Sequence, residues 1–361
     1  MGGVMVNSEI ERIKKVREII TSIIEKKGRD HLYDLTGIGG GFKLKKTDID
    51  VLDTYIGSAI FSEKLNRAGL LHLGGNPTIH RAVGFNRTSS AILSTIIALS
   101  KDIDKVIHYL PKRPSHPSIP RSCKIFNIPY FESDNIDEIL NRIDKNTLTV
   151  ITGATMDHKV VDLKRLKKII SQCNEKKSIS FVDDASGARL RLLYNQPPAL
   201  KLNANLVVTS TDKLMEGPRA GLLAGDIDLI DIIYEEGLKY GLEAQAPVLA
   251  GMVNALESFD LQKLKEAFNR ANSIDLTPLI SIGIKVERTP TGFLLTSLSE
   301  EESIQLALKL LEDYGIITIT AAGMPGASKT LRIDFCSKDA YRISNEYILN
   351  AIVNSYREIR E

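Results

Sequence analysis

The sequence has few of the features that mark a secreted, membrane-spanning or nucleic-acid-binding protein. Its three cysteines, Cys123, Cys173 and Cys336, lie far apart, which excludes a disulfide framework and a C-x-x-C zinc site. The 47 basic and 45 acidic side chains leave a net charge of +2, so nothing draws the whole chain to nucleic acid or to an anionic membrane. No apolar run is long enough to span a bilayer, and Met1–Val6 does not begin a secretory signal. We therefore expect a cytoplasmic protein.

The length and the hydrophobic content predict a folded chain of about two domains. The chain has 361 residues, of which 43% are hydrophobic, and this excludes wholesale disorder. We predict an N-terminal helix and arm over residues 1–50, a large domain over 51–245, and a linking helix with a small domain over 246–361.

Helices and strands alternate in the middle of the chain. Apolar spacing predicts helices over residues 88–100 and 163–173, and short strands over residues 105–110, 148–153, 178–183, 205–210 and 220–225. Strands separated by helices favour an α/β fold with a largely parallel sheet that is covered on both faces. Ligands of such sheets bind beyond the carboxyl ends of the strands, so polar residues there become candidates.

The two ends of the chain have different patterns. Residues 8–27 predict an amphipathic helix that Ser8 caps, and a glycine loop follows at residues 37–41. This loop is close to a dinucleotide-binding fingerprint, but Phe42 replaces the third glycine and no apolar strand precedes it. The C-terminal part predicts a small α+β domain, with helices over 246–270, 301–314 and 345–358 and strands over 282–286, 293–296, 318–321 and 330–335.

Two of the predicted strand ends carry residues with chemical potential. The apolar strand that reaches Phe181 and Val182 delivers Asp183 to its carboxyl end, where a buried carboxylate is costly unless it meets a cation. The next strand ends at Ser210 and is followed by Lys213, and a lysine that is screened from water can form a Schiff base. Taken alone, Asp183 could equally cap a turn and Lys213 could be a solvated loop lysine.

A third candidate lies at the start of the helix that begins near residue 88. Thr88 and Ser89 offer hydroxyl groups and free backbone N–H groups, which suits a phosphate, although an ordinary helix cap would look the same. A phosphate cradle, a Schiff-base lysine and an aspartate some thirty positions before it are the parts that pyridoxal phosphate requires. The combination predicts this cofactor.

The same segments resemble the fold-type I pyridoxal-phosphate enzymes, the aspartate aminotransferase superfamily. Val182–Gly187 is similar to the V-D-x-x-S-G motif of bacterial selenocysteine synthase, the L-seryl-tRNA(Sec) selenium transferase. Ser210–Gly225 is similar to its S-x-D-K-L-x-x-G-P-x-A-G-x-x-x-G motif. The whole chain most resembles an archaeal selenocysteine-synthase-like group of pyridoxal-phosphate proteins. The fold that this implies has a mostly parallel sheet in a large domain and a small α+β C-terminal domain.

The resemblance implies roles for individual residues around the cofactor ring. Lys213 would be the Schiff-base lysine, and Asp183 would hold the ring nitrogen protonated. Ala185 would lie against one face of the ring. His116, in a segment similar to the H-x-S-I segment of the oxoamine synthases, would stack on the other face.

The resemblance also implies residues for the two ends of the bound molecules. Ser210, with Thr88 and Ser89, would hold the phosphate. Arg332 resembles the superfamily's arginine for the substrate carboxylate, a job that suits a planar bidentate donor. An exposed arginine at a strand edge is the alternative interpretation.

These features predict an enzyme that eliminates or replaces a β-substituent of an amino acid. An aminotransferase or lyase acting on a free amino acid is the alternative within the same cofactor class, and a non-catalytic tRNA- or partner-binding relative is the alternative outside it. The expected substrate is a small amino acid. Tight binding of transfer RNA is not expected, since the chain lacks the long run of basic residues that would neutralise its phosphates. The superfamily likeness implies a homodimer or a multiple of it, with residues 8–27 and 37–41 as contributors to the neighbour.

Overall fold

The computed structural model describes residues 9–39, 41–52, 54–322 and 330–360. Ser8, the predicted cap of the first helix, and Gly40 of the glycine loop lie outside them. The chain divides into a large unit, residues 38–261, and a small unit that combines the N-terminal residues up to 37 with residues 262–361.

The elements alternate along the chain as the sequence predicts for an α/β fold. The strands are β1 (Tyr33–Asp34), β2 (His80–Phe85), β3 (Lys105–Tyr109), β4 (Tyr130–Ser133), β5 (Thr147–Thr152), β6 (Ile179–Asp183), β7 (Leu206–Ser210), β8 (Gly221–Asp226), β9 (Val286–Thr289), β10 (Gly292–Leu295), β11 (Ile316–Ile317) and β12 (Leu331–Asp334). The helices are α1 (Glu9–Lys27), α2 (Lys46–Leu52), α3 (Tyr55–Leu73), α4 (Thr88–Leu99), α5 (Ser118–Ile125), α6 (Ile136–Leu140), α7 (Leu163–Lys176), α8 (Gly187–Leu190), α9 (Ile227–Lys239), α10 (Ala246–Glu257), α11 (Leu261–Ser273), α12 (Thr277–Ile280), α13 (Glu300–Tyr314), α14 (Ile319–Ala322) and α15 (Asn345–Glu358).

The large unit is built on a mostly parallel sheet. In the described part of this unit its strands follow the order β2-β8-β7-β6-β5-β3-β4. The neighbours from β4 to β7 are parallel, and β8 runs antiparallel to both β7 and β2. Apolar side chains on the two sheet faces belong to two separate clusters, as expected for a sheet that helices cover on both sides. The carboxyl ends of β5, β6 and β7 therefore lie side by side at one edge.

The small unit has its own core around an antiparallel sheet. Among its described residues, β9, β10 and β12 form the sheet in the order β12-β10-β9, and β1 pairs in parallel with β11. Helix α1 contributes the buried Val16 and Ile23 to this core, whereas Ile10 is exposed. None of the helices in the described part of the chain combines the length and the apolar character needed to cross a bilayer.

The boundaries between the units differ from those predicted at residues 50 and 245. The first residues join the small unit because Tyr33 and Asp34 pair with Ile316 and Ile317. Helix α10 joins the large unit because it packs against α3. Both contacts join residues that are distant in sequence, so local composition does not reveal them.

Three predicted elements of the C-terminal part are wrong. The predicted single helix over 246–270 is two helices, α10 and α11. Ser258 interrupts the apolar pattern directly after α10, and its hydroxyl donates to the backbone carbonyl of Asn254. The strand over 282–286 begins only at Val286, after Gly283 with a φ of 86°. The strand over 318–321 is instead helix α14, and only the two preceding isoleucines find a partner strand.

Candidate active site

Asp183 is the last residue of β6, between the ends of β5 and β7. Burial raises the pKa of its carboxyl group, which the charge of Lys213 and a hydrogen bond from the Ala185 backbone oppose. Its Oδ1 atom is buried and has no hydrogen-bond partner among the described residues. An ionised carboxylate in this place requires a cationic donor.

Asp184 points away from Asp183, as strand alternation predicts. Its carboxylate forms a fully buried ion pair with Arg191, with Nη2 2.6 Å from Oδ1 and Nε 2.9 Å from Oδ2. Gly153 and Gly187 leave room for this carboxylate, since a Cβ at either position would stand about 2 Å from Oδ1. Gly187, the glycine of the V-D-x-x-S-G motif, therefore leaves the space that the Asp184–Arg191 ion pair occupies.

We expect Asp184→Ala to lower the free energy of unfolding by about 3–5 kcal/mol, because it leaves the Arg191 guanidinium buried without its carboxylate. Chemical denaturation of both proteins measures the change. Asp228→Ala, at an exposed position on α9, is the matched control. A loss for Asp184→Ala no larger than that of the control would contradict the structural role.

Lys213 follows β7 in a tightly folded loop. Leu214 has a φ of 57°, and a Cβ at Gly217 would lie 2.3 Å from the Thr211 carbonyl oxygen. The N-terminal glycine segment packs onto this loop: Ile38 bridges Lys213, and the Gly39 N–H donates to the Asp212 carbonyl at 2.7 Å. This segment therefore contacts its own chain, and its predicted contribution to a neighbouring subunit stays a prediction.

His116 lies in the loop between β3 and α5. Its Nδ1 accepts the backbone N–H of Ser118 at 3.3 Å and lies 2.9 Å from the Ser118 Oγ. Burial, together with the positive charges of Lys213 and Arg121, lowers its pKa to about 4. The ring is therefore neutral at neutral pH, and its proton is on Nε2.

The charge of Lys213 reaches both Asp183 and His116. It opposes the rise in the pKa of Asp183 and contributes to the fall in the pKa of His116. The structure thus brings these three predicted residues together in the large unit. Ala185 joins them through its backbone, since its N–H group bonds Asp183 and its carbonyl accepts the Ser210 N–H at 3.3 Å.

Two arginines, Arg87 and Arg219, lie near the start of α4, and we call this pair the cationic corner. In the described residues no side chain caps this helix, and Thr88 and Ser89 occupy its first turn, half-buried and exposed respectively. Burial and the nearby charge of Arg87 lower the pKa of Arg219, which Asp212 opposes. Gly221 lets the start of β8 pack closely against the backbone of Arg87, because a Cβ at this position would lie 2.6 Å from the Arg87 carbonyl oxygen. Two arginines beside a helix N-terminus suit an anion.

Ser210, which is predicted to hold the phosphate, is the last residue of β7. Its hydroxyl donates to the carboxylate of Asp212, and that carboxylate also lies 3.5 Å from Nε of Arg219. Ser210 is therefore connected to the cationic corner through Asp212.

Arg332 belongs to the small unit, on strand β12. It is only 6% exposed, which excludes the exposed strand-edge interpretation. Its Nε lies 3.8 Å from the buried Asp334 carboxylate, and its Nη2 donates to the Thr36 carbonyl at 3.3 Å.

Comparison with known proteins identifies the family. The chain is 61% identical to a UPF0425 pyridoxal phosphate-dependent protein of Methanococcus maripaludis, over 97% of this chain and 99% of that one. It is 42% identical to a protein of the same name in Methanosphaera stadtmanae, over 97% and 94%. The chain belongs to the UPF0425 family of pyridoxal phosphate-dependent proteins. Residues 282–344 match the UPF0425 C-terminal domain.

Solved structures confirm the fold of this UPF0425 protein. L-threonine transaldolase from Pseudomonas fluorescens matches with a TM-score of 0.70 and 14% identity, over 96% of this chain and 89% of that one. SepCysS, in complex with the SepCysE N-terminal domain, matches with 0.63 and 15%, over 94% and 98%. A serine palmitoyltransferase from S. paucimobilis matches with 0.62 and 16%, over 95% and 84%. The predicted fold-type I fold and the predicted cofactor, pyridoxal phosphate, are confirmed.

The site residues of the UPF0425 protein fit this cofactor. The buried, unpartnered Oδ1 of Asp183 suits a protonated ring nitrogen, and the cationic corner suits a phosphate. The sequence reasoning missed Arg87 and Arg219, although Arg219 lies inside the quoted motif, six residues after Lys213. Two cationic side chains in segments already singled out for phosphate were the available signal.

Proposed function

We propose that this protein eliminates or replaces the β-substituent of a small amino acid, with Lys213 as the residue that holds the cofactor and moves protons. The observation that carries the proposal is that the charge of Lys213 reaches both Asp183 and His116 at the carboxyl edge of the parallel sheet. The similarity of Ser210–Gly225 to the selenocysteine synthase motif favours this reaction type over transamination.

Each residue has a distinct task in this proposal. When bound, pyridoxal phosphate supplies an electron sink for the electrons of the substrate's Cα–H bond. Lys213 would hold the cofactor and would take the α-proton of the substrate. Asp183 holds a proton at the ring nitrogen. His116, neutral at neutral pH, would lie against one face of the cofactor ring, and Ala185 would lie against the other face.

The phosphate is assigned to the start of α4. Arg87 and Arg219 supply the charge, and Thr88 and Ser89 supply N–H and O–H donors. Ser210 takes part directly or through Asp212, to which it is bonded.

The proposed assembly is a homodimer in a reducing compartment, the cytoplasm. The dimer follows from the superfamily likeness, with α1 as a contributor. The free cysteines Cys123, Cys173 and Cys336 support the compartment.

The substrate is proposed to be a free amino acid whose carboxylate binds Arg332. We expect Arg332→Lys to raise KM for free amino acids at least tenfold, because a lysine keeps a cation beside Asp334 but lacks the planar fork. Arg357→Lys, exposed on α15, is the matched control. Melting temperatures of both variants separate lost binding from lost stability.

The experiment that tests the function adds a panel of amino acids to the holoenzyme and records the visible spectrum and the products. Without an added nucleophile, β-substituted alanines should shift the spectrum and release the β-substituent, pyruvate and ammonia. Release of the intact 2-oxo acid would instead show an aminotransferase. Tight, salt-sensitive binding of seryl-tRNA that is indifferent to Arg332→Lys would replace the free amino acid with an aminoacyl-tRNA.

A further inference from the structure

A polar network lies beside the loop that carries His116. Its members are His108 on β3, Tyr130 and Glu132 on β4, Thr152 at the end of β5, and Ser115 in the loop itself; we call it the Tyr130 network. None of these residues is part of the cofactor site described above. Parallel pairing of β3 with both β4 and β5 brings the strand residues together.

The phenol oxygen of Tyr130 is the centre of the network. It lies 2.7 Å from Oε2 of Glu132, 3.0 Å from Oγ of Ser115 and 2.9 Å from Nδ1 of His108. On the far side of the imidazole, Nε2 of His108 lies 2.7 Å from Oγ1 of Thr152.

The protons of the network have one consistent arrangement. Tyr130 has a single proton, which it donates to the carboxylate of Glu132, so His108 must donate to Tyr130 through Nδ1–H. His108 is fully buried, and burial lowers its pKa to about 4 against the opposing charge of Glu132. Its neutral ring then accepts the Thr152 hydroxyl proton at Nε2. Every hydrogen bond in the chain from Thr152 to Glu132 has a fixed direction.

Glu132 also binds the backbone of the loop. Burial acts to raise its pKa, but hydrogen bonding with Ser115 and with Tyr130 outweighs burial and lowers it. Ser115 directly precedes His116, whose ring is bonded on the other side to Ser118. The histidine is therefore held between two anchored neighbours.

The other end of the network reaches the neighbourhood of the cofactor. Thr152 is the Cα partner of Asp183 across β5 and β6. The network thus links the strand end next to Asp183 with the loop of His116. In the proposed site both parts contact the cofactor ring, so their relative position must stay fixed.

We propose that Glu132 and Tyr130 are positioning residues that fix His116 against the cofactor ring. This inference rests on the proposed role of His116. Glu132 gives the loop a charged acceptor for the Ser115 backbone N–H, while the Ser115 hydroxyl donates to the Tyr130 oxygen, which is itself bonded to Glu132. Hydrogen bonds to a charged group are among the stronger ones, so losing the charge should loosen the loop.

The test replaces Glu132 with glutamine, which keeps the shape and removes the charge. We expect Glu132→Gln to raise the cofactor dissociation rate about tenfold and to weaken the visible circular dichroism of the bound cofactor. Glu138→Gln is the matched control, because Glu138 also accepts a serine hydroxyl, that of Ser133 at 2.7 Å, and has no part in the Tyr130 network. Tyr130→Phe, which removes only the hydroxyl, should act in the same direction and provides the test if Glu132→Gln does not fold.

A double-mutant comparison with His116→Ala separates positioning from general stability. If Glu132 acts through His116, Glu132→Gln should change neither signal further in the His116→Ala background. An undiminished effect in that background, or wild-type signals for Glu132→Gln where His116→Ala changes them, would overturn the inference. Wild-type signals for His116→Ala itself would overturn the proposed role of His116 instead.

Discussion

Replacing Asp183 with asparagine is expected to leave the cofactor bound and to lower turnover of the identified substrate at least about 10²-fold. The amide has the shape of the carboxylate and can still accept the Ala185 N–H, but it has no charge with which to hold a proton at the ring nitrogen. The ring then loses its capacity as an electron sink. The visible absorbance of the purified variant measures cofactor retention, and steady-state kinetics measure the loss.

The cofactor-free protein should respond in the opposite direction. Burial raises the pKa of Asp183 in the folded state, so its ionised form destabilises the fold above the unfolded-state pKa, and neutral pH lies in that range. Without cofactor, Asp183→Asn should therefore melt at a higher temperature than the wild type at pH 7. Asp228→Asn, at an exposed position, should change neither turnover nor melting. Near-normal turnover of Asp183→Asn would contradict the assigned role.

Replacing Lys213 with alanine is expected to abolish the covalent attachment of pyridoxal phosphate to the protein. It should also slow exchange of the substrate α-proton with solvent by roughly 10²–10⁴-fold. The variant lacks the amine that takes the proton, while Asp183 and the cationic corner at the start of α4 remain. Exchange in deuterated water, followed by proton NMR, measures this step without requiring the complete reaction. Lys159→Ala, exposed in the loop after β5, is the control and should exchange at the wild-type rate. Exchange by Lys213→Ala at a rate near the wild type would assign the base to another residue.

The residues at strand ends were predictable because their signals are local. An apolar strand that stops at Asp183, and another that stops at Ser210 before Lys213, are visible in a few consecutive residues. The structure places both at one sheet edge, because β6 and β7 are parallel neighbours. The antiparallel direction of β8 was not predicted, since a short apolar strand reads the same in either direction.

The cationic corner and the Tyr130 network depend on contacts between distant segments. Arg219 approaches Arg87 only because β8 begins against the start of α4, where Gly221 lacks a side chain. Strand β4, which carries Tyr130 and Glu132, is four residues long and was not predicted. Helix α3 was also missed, since its apolar residues, among them the exposed Leu71, extend around the helix instead of forming one stripe.

The position of the covalently bound cofactor tests the central claim most directly. Borohydride reduction of the holoenzyme fixes the cofactor to the lysine that holds it, and proteolysis followed by mass spectrometry identifies the labelled peptide. The account predicts a single label on Lys213, in the peptide that contains Ser210–Gly217, and no label in Lys213→Ala. A label on another lysine, or a protein that takes up pyridoxal phosphate without any reducible bond, would contradict it.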